Sequence, residues 1–191
     1  MYPYAYKMFK RMFNELSDTE IKIKTDEWIK TNWIKHTADN VYARTYYQME
    51  GKGVFYDIFN KYSGIVVNEK KAANYDFLVK QVNNMVELKV RPEGTNTIKG
   101  LIDHEIGHEF DKKYNLSNNK EIQEIYWESL KNKEKFTKEL SSYAWDNQNP
   151  NPYSEMIAEA WSEYCNNPNP RRIAQRIGRI IEELNKNEKN N

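Results

Sequence analysis

Hydrophobic positions along this chain recur at two different spacings. Tyr6, Phe9, Met12, Phe13 and Leu16 fall three or four apart before Ser17-Asp18 closes the run, which predicts an amphipathic helical arm within residues 1–25. A second helical block starts near Asp26 with Trp28, Trp33 and Ile34. A third starts near Asp39 with Tyr42, Tyr46 and Met49, until "EGKG" at 50–53 interrupts it. The spacing then shortens. "SGIVVNE" (63–69), opened by Gly64 and closed by Asn68, has the profile of a buried strand. "NNMVELKV" (83–90) alternates Met85, Glu87 and Lys89 with Val86, Leu88 and Val90, which predicts a strand over 85–90 near a sheet edge.

The rest reads as helix. "RPEGTNT" (91–97) is turn chemistry in which Thr95 or Thr97 can cap the helix that follows, and that helix carries Ile98, Leu101, Ile102 and Phe110 and fades near Tyr114-Asn115. More helix is expected over 118–140, broken near 131–133, with a loop at "DNQNPNP" (146–152). Helix resumes at Tyr153–Cys165, with Met156, Ile157, Ala160 and Trp161 on one side. After "NNPNP", the last helix aligns Ile173, Ile177, Ile180, Ile181 and Leu184, and the polar tail over 185–191 is expected to fray. The fold class is therefore α+β, predominantly helical with a small β-sheet, and no internal repeat is visible.

At 191 residues the chain is long enough for one sizeable core and short for two, so residues 1–191 are expected to form a single domain. Lys+Arg at 29 nearly cancels Asp+Glu at 28, which leaves no global field to recruit nucleic acid or an anionic membrane. No stretch approaches a membrane span, and "MYPYAYKMFKRMF" lacks the apolar core and cleavage site of a signal peptide. With Cys165 as the only cysteine, no internal disulfide forms, and a metal site must rely on nitrogen and oxygen ligands or borrow that thiolate.

Chemistry concentrates in "GLIDHEIGHEFD" (100–111), which holds two of the three histidines. Residues i and i+4 of a helix lie one above the other, so His104 and His108 can aim two imidazole nitrogens at one point about 2 Å from each. Glu105 stands one position around the helix, where a carboxylate can take the proton of a metal-activated water. The apolar run before the motif buries this helix, and Gly107 leaves room for another backbone or a substrate.

A third ligand is needed, with one position left open. Asp111 lies on the same face, but one turn below His108 its carboxylate is carried away from the pair. No glycine follows His108 to bend the chain back, so Asp111 is expected beside the ligands or in helix packing. Glu155 and Glu159, four apart among Met156, Ile157, Ala158 and Ala160, fit better. From a second helix one acid can reach the metal while the other accepts the free N–H of a ligand histidine.

Together "RPEGTNTIKGLIDHEIGHEFD", "SSYAWDN", "YSEMIAEAWSEY" and the upstream "GIVVNEKKAANYDFLVK" resemble the lethal-factor-like zincin metallopeptidases, including similar domains of phage minor head proteins and related toxins, over about residues 50–165. The resemblance implies a zincin-like scaffold with an HExxH active-site helix, gluzincin-type Zn2+ ligation by His104, His108 and Glu155, Glu105 as general base and Glu159 behind a ligand. It also implies that Tyr143 in "SSYAWDN" donates to the oxyanion. The chain departs from the family in the longer "QNPNPY" segment before Glu155, which brings Tyr153 in as a second phenol. Tyr143 is favoured because its Ser-Tyr-Ala context matches and Tyr153 stands at a helix start.

The expected function is thus zinc-dependent peptide hydrolysis, with a peptide or protein substrate held in extended form by the strand over 85–90. The alternatives are a non-catalytic module of a larger phage or toxin assembly and a zinc hydrolase of a non-peptide bond. The intact Glu105 weighs against the first. The expected setting is cytoplasmic or virion-associated, without nucleic-acid or membrane partners. Arg171, Arg172, Arg176 and Arg179 are read as a solvated face beside the isoleucine stripe rather than a phosphate site. Cys165 is read as a packed thiol.

Overall fold

The structure is a computed structural model that describes residues 42–47, 60, 64–67 and 74–189. The helices expected at 4–16 and from Asp26, and the turn at 50–53, lie outside the described residues. By its internal packing the chain groups into two compact units, Met1–Val41 with Tyr46–Gly64, and Tyr42–Thr45 with Ile65–Asn191. The second contains the two-histidine motif.

Two four-residue strands, β1 (Ala43–Tyr46) and β2 (Gly64–Val67), pair in one sheet. Six α-helices come after them: α1 (Tyr75–Glu87), α2 (Ile98–Tyr114), α3 (Lys120–Leu130), α4 (Lys133–Glu139), α5 (Ser154–Asn166) and α6 (Arg172–Lys189). A 3-10 turn at Leu116–Asn118 joins α2 to α3. The described chain is therefore mostly helical with one short sheet.

The helix starts are set by side-chain caps: Asn74 accepts from Phe77 N–H, Thr97 from Gly100 N–H, Asn119 from Glu121 and Ile122, and Asn132 from Lys135. Asn115 ends α2 in the left-handed conformation. The break between α3 and α4 falls at the expected position, 131–132.

Two expectations are corrected. Residues 83–87 belong to helix α1, not to an edge strand over 85–90. Leu78, Val82, Met85 and Val86 continue a helical stripe begun by the Asn74 cap, and the short alternation downstream is incidental. The helix stops in a Schellman arrangement, with Val90 N–H donating to Met85 O and Lys89 N–H to Val86 O, while Lys89 takes φ of 57°. A lysine at the position where glycine is usual hides the stop from sequence. The second correction concerns Ala43–Tyr46, which was expected inside a helix and is strand β1. A β-branched and an aromatic residue there pair with the β-branched run of β2, and pairing outweighs the weak helical spacing of Tyr42, Tyr46 and Met49.

The main core gathers Leu116, Ile122, Ile125, Phe136, Leu140, Met156, Ile157, Ile173, Ile177 and Ile181, so the apolar faces of α3 to α6 close on one another. A smaller cluster of Leu78, Val82 and Leu101 seats α1 on α2. The most extensive helix packing is between α2 and α5. A Cβ added at Gly107 would stand 2.6 Å from Ala158 Cα, so glycine is what lets these two backbones touch.

Helix α6 runs to Lys189, so the polar residues 185–189 continue it. Tyr114 reaches it with its hydroxyl 3.1 Å from Asn185 Oδ1 and 2.9 Å from Glu188 Oε2, and Lys113 pairs with Glu188. Of the four arginines read as a solvated face, Arg172 and Arg179 are exposed as expected, while Arg171 and Arg176 are engaged with protein. Arg171 donates to both oxygens of the fully buried Glu163 at 2.8 and 2.7 Å, and to Lys138 O and Leu140 O. Arg176 lies 3.3 Å from Glu121. Arg171 is thus a clamp joining α4, α5 and α6 rather than part of a solvated face.

Candidate metal centre

The α2–α5 crossing brings the polar residues of the motif together inside a packed interface. His104 and Glu155 are buried, and the His108 side chain is 11% exposed. One ligand atom from each of His104, His108 and Glu155 lies within 4.8 Å of the others, so this triad is close enough to hold a metal ion. Glu155 Oε2 is 3.3 Å from His104 Nε2 and 3.5 Å from His108 Nε2. Ligands about 2.0–2.1 Å from a tetrahedral centre are separated by about 3.3–3.4 Å. The two distances to Glu155 match that separation, and the triad as a whole lies within 4.8 Å.

The remaining ends of these groups are tied back. His104 Nδ1 lies 2.8 Å from Glu159 Oε1, an ion-pair distance with the oxygen off the ring N–H direction, so no aligned hydrogen bond forms. His108 Nδ1 lies 3.0 Å from Ser154 Oγ. Asn149 Nδ2 donates to Glu155 Oε1 at 3.0 Å. Glu155 Oε2, by contrast, is buried and accepts no hydrogen bond. A buried carboxylate oxygen aimed between two imidazole nitrogens without a donor is what a cation site leaves behind.

The charges fit as well. Glu159 is fully buried, and neither of its oxygens accepts an aligned hydrogen bond. Without a metal, burial pushes the His104 pKa down, but the hydrogen-bonding influence of Glu155 and the charge of Glu159 outweigh it and hold the ring at about 9. Burial acts to raise the Glu155 pKa, and the two histidines overcome it and hold the carboxyl well below the usual range. A proton on His104 therefore occupies the electrostatic place that a divalent ion would take.

Glu105 is buried beside the triad, and Thr45 of β1 holds it: Thr45 Oγ1 is 2.8 Å from Glu105 Oε2 and 3.1 Å from its carbonyl oxygen. Oε1 has no partner among the described residues. Tyr143 is 39% exposed, its ring centroid 6.3 Å from that of His104. Burial first, then the carboxylates of Glu155, Glu159 and Glu105, push its pKa up to about 12, so the phenol keeps its proton as a donor. Tyr153 turns elsewhere: its oxygen accepts from Trp127 Nε1 at 3.1 Å and its ring packs edge-on to Tyr126.

Asp111 is drawn away from the triad. Its carboxylate takes Ser117 N–H and the Ser117 hydroxyl at 2.8 Å, and Ser117 Oγ in turn accepts from Asn151 Nδ2 at 2.7 Å. It anchors the loop that delivers Glu155. In that loop Asn147, Asn149 and Asn151 each accept the backbone N–H two residues on. The "QNPNPY" segment is thus the piece that aims Asn149 at Glu155.

Thr45, Ser154 and Asn149 are the site residues that sequence reading misses. Ser154 and Asn149 had a usable signal, since small polar residues flank a candidate ligand. Thr45, 60 positions from Glu105, had none. Cys165 is exposed as a residue, yet its sulfur is partly shielded from water, and that desolvation, followed by the charge of Asp103, pushes the thiol up to about 11, which removes it as a nucleophile. No described helix is long and apolar enough to cross a membrane. No family model matches the chain, and neither a curated protein nor a solved structure matches it.

Proposed function

We propose that this chain is a zinc-dependent peptidase of gluzincin type on a zincin-like scaffold. The observation that carries the reading is the convergence of His104 Nε2, His108 Nε2 and the unpartnered Glu155 Oε2, with the other ring nitrogens already held by Glu159 and Ser154. Two imidazole nitrogens and one carboxylate oxygen suit zinc, and in a set of three the fourth position is left for water or substrate. Zinc held there supplies Lewis acidity, making water acidic enough to attack a carbonyl near neutral pH.

The chain's own residues do the rest. Thr45 occupies Glu105 Oε2, which leaves Oε1 to receive the proton of the attacking water and pass it to the leaving amine. The Tyr143 hydroxyl, protonated and without a partner among the described residues, donates to the oxygen that becomes negative as the carbonyl is attacked. With 85–90 no longer available as an edge strand, β1 takes over that role in the proposal. Thr45 places it against the motif helix, and among the described residues only one of its edges is paired, by β2.

The test is a digest of a broad peptide library by zinc-loaded wild type and Glu105→Gln. The wild type should cleave, and the variant should retain zinc and fold while losing cleavage, since the amide preserves shape but takes no proton. Equal activity in both would remove Glu105 from the mechanism. A zinc-loaded wild type that cuts nothing would favour a non-catalytic module.

A further inference from the structure

Two arginines show opposite treatment by the fold. Arg171 spends its donors on Glu163, Lys138 O, Leu140 O and Glu93. Arg91 makes one hydrogen bond, a long one of 3.4 Å from Nη2 to Gly100 O. Ser162 Oγ already serves that carbonyl at 2.7 Å, so Arg91 adds little to its satisfaction. Arg91 Nε is buried with no acceptor, and Nη1 has no partner among the described residues. A half-buried guanidinium left so poorly paired is costly unless something outside the chain completes it.

Its position says what that is for. Beyond the Lys89 stop, the backbone runs beside the Tyr143 turn: Ser142 N–H donates to Lys89 O at 2.8 Å and Tyr143 N–H to Val90 O at 3.3 Å. Arg91 therefore adjoins the tyrosine of the site on one side and the first turn of α2 on the other. Glu105, Glu155 and Glu159 make the surroundings of the triad unfavourable to an anion, and Arg91, between the Tyr143 turn and the first turn of α2, brings a cation to its edge.

We infer that Arg91 is the receptor for a carboxylate of the substrate, so that the site prefers peptides bearing an acidic side chain or a free C-terminal carboxylate close to the bond cut. A guanidinium suits that group, because its fork of N–H donors matches the two carboxylate oxygens. The inference rests on the metallopeptidase reading and names its substrate class. Arg91 acts by positioning, since it holds the substrate and leaves the proton transfers to Glu105 and Tyr143.

The experiment is calorimetric binding of three hydroxamate-headed dipeptide probes to zinc-loaded protein, which requires no turnover. One probe ends in a carboxylate, one carries an aspartate side chain with an amide end, and one is neutral throughout. Wild type should bind one of the charged probes at least roughly tenfold more tightly than the neutral one, as a charge-assisted pair warrants. Whichever charged probe is preferred identifies the source of the carboxylate. Arg91→Gln should level the affinities with zinc content and melting temperature unchanged, and Arg91→Lys, which keeps the charge without the fork, should retain part of the preference. A zinc-loaded wild type without preference, or a preference that survives in Arg91→Gln, overturns the assignment and leaves the metal site standing. Failure of the wild type to take up zinc overturns both.

Discussion

Each imidazole of the triad turns one nitrogen toward Glu155 Oε2 and has the other held in place, by Glu159 for His104 and by Ser154 for His108. That division fixes ring rotation before any ion arrives, which keeps the entropy cost of ligation low. Glu159→Ala should therefore lower zinc affinity about 10- to 100-fold without abolishing binding, as measured by competition with a coloured chelator. Thr45→Val keeps the β-branched shape but removes the hydroxyl from Glu105 Oε2. It should reduce kcat on cleavable peptides by about tenfold, the loss of one net hydrogen bond at the base, and leave zinc content as it was. An unchanged kcat would mean that Glu105 is oriented by its helix alone. At this scale the sequence was partly legible. His104, Glu105 and His108 declared themselves through i,i+4 spacing, and Glu155 and Glu159 through acids placed among apolar neighbours. Thr45 and Arg91 were not visible, because their roles depend on chain segments that meet only in three dimensions.

Elements show where local patterns mislead. The α1 stop uses Lys89 at positive φ, so the hydrogen-bond pattern is that of a glycine-terminated helix while the residue is not. Lys89→Gly should stabilise the fold by about 1 kcal/mol by relieving that conformation, seen as a higher urea midpoint at unchanged slope. The opposite sign holds at Gly107. A methyl there meets Ala158 Cα at 2.6 Å, backbone against backbone. Gly107→Ala should cost about 1–3 kcal/mol as overpacking and weaken zinc binding as well, since it parts the helix that carries the histidines from the one that carries Glu155. Helices α3, α5 and α6 could be read from their apolar spacing, and α2 from its threonine cap and its i,i+4 histidines rather than from a continuous apolar face. The strand expected over 85–90 rested on too short a run to outweigh the helical stripe coming in from Leu78, and β1 owes its state to a partner strand distant in sequence.

The described part of the molecule is a helical assembly whose tightest crossing, α2 on α5, is also where its buried acids and histidines meet. Stability and ligation are therefore coupled. Arg171 and Glu163 supply a separate buried pair, and Arg171→Ala, by stranding Glu163, should cost about 3–5 kcal/mol in urea unfolding while zinc stoichiometry in the folded fraction is preserved. In metal-free protein the raised His104 pKa adds stability that is fully present below about 6.5 and is lost as pH rises through about 9. Zinc competes with that proton, so the rise in melting temperature on adding zinc should grow as pH increases across this window. A rise of constant size would mean that His104 carries no proton to displace. The metal site itself is tested most directly by elemental analysis of the wild type and Glu155→Ala, each purified without added metal. Near-stoichiometric zinc is expected in the wild type, with most of it lost in the variant. Full retention in Glu155→Ala, or no zinc in the wild type, would contradict the assignment of His104, His108 and Glu155 as a zinc site.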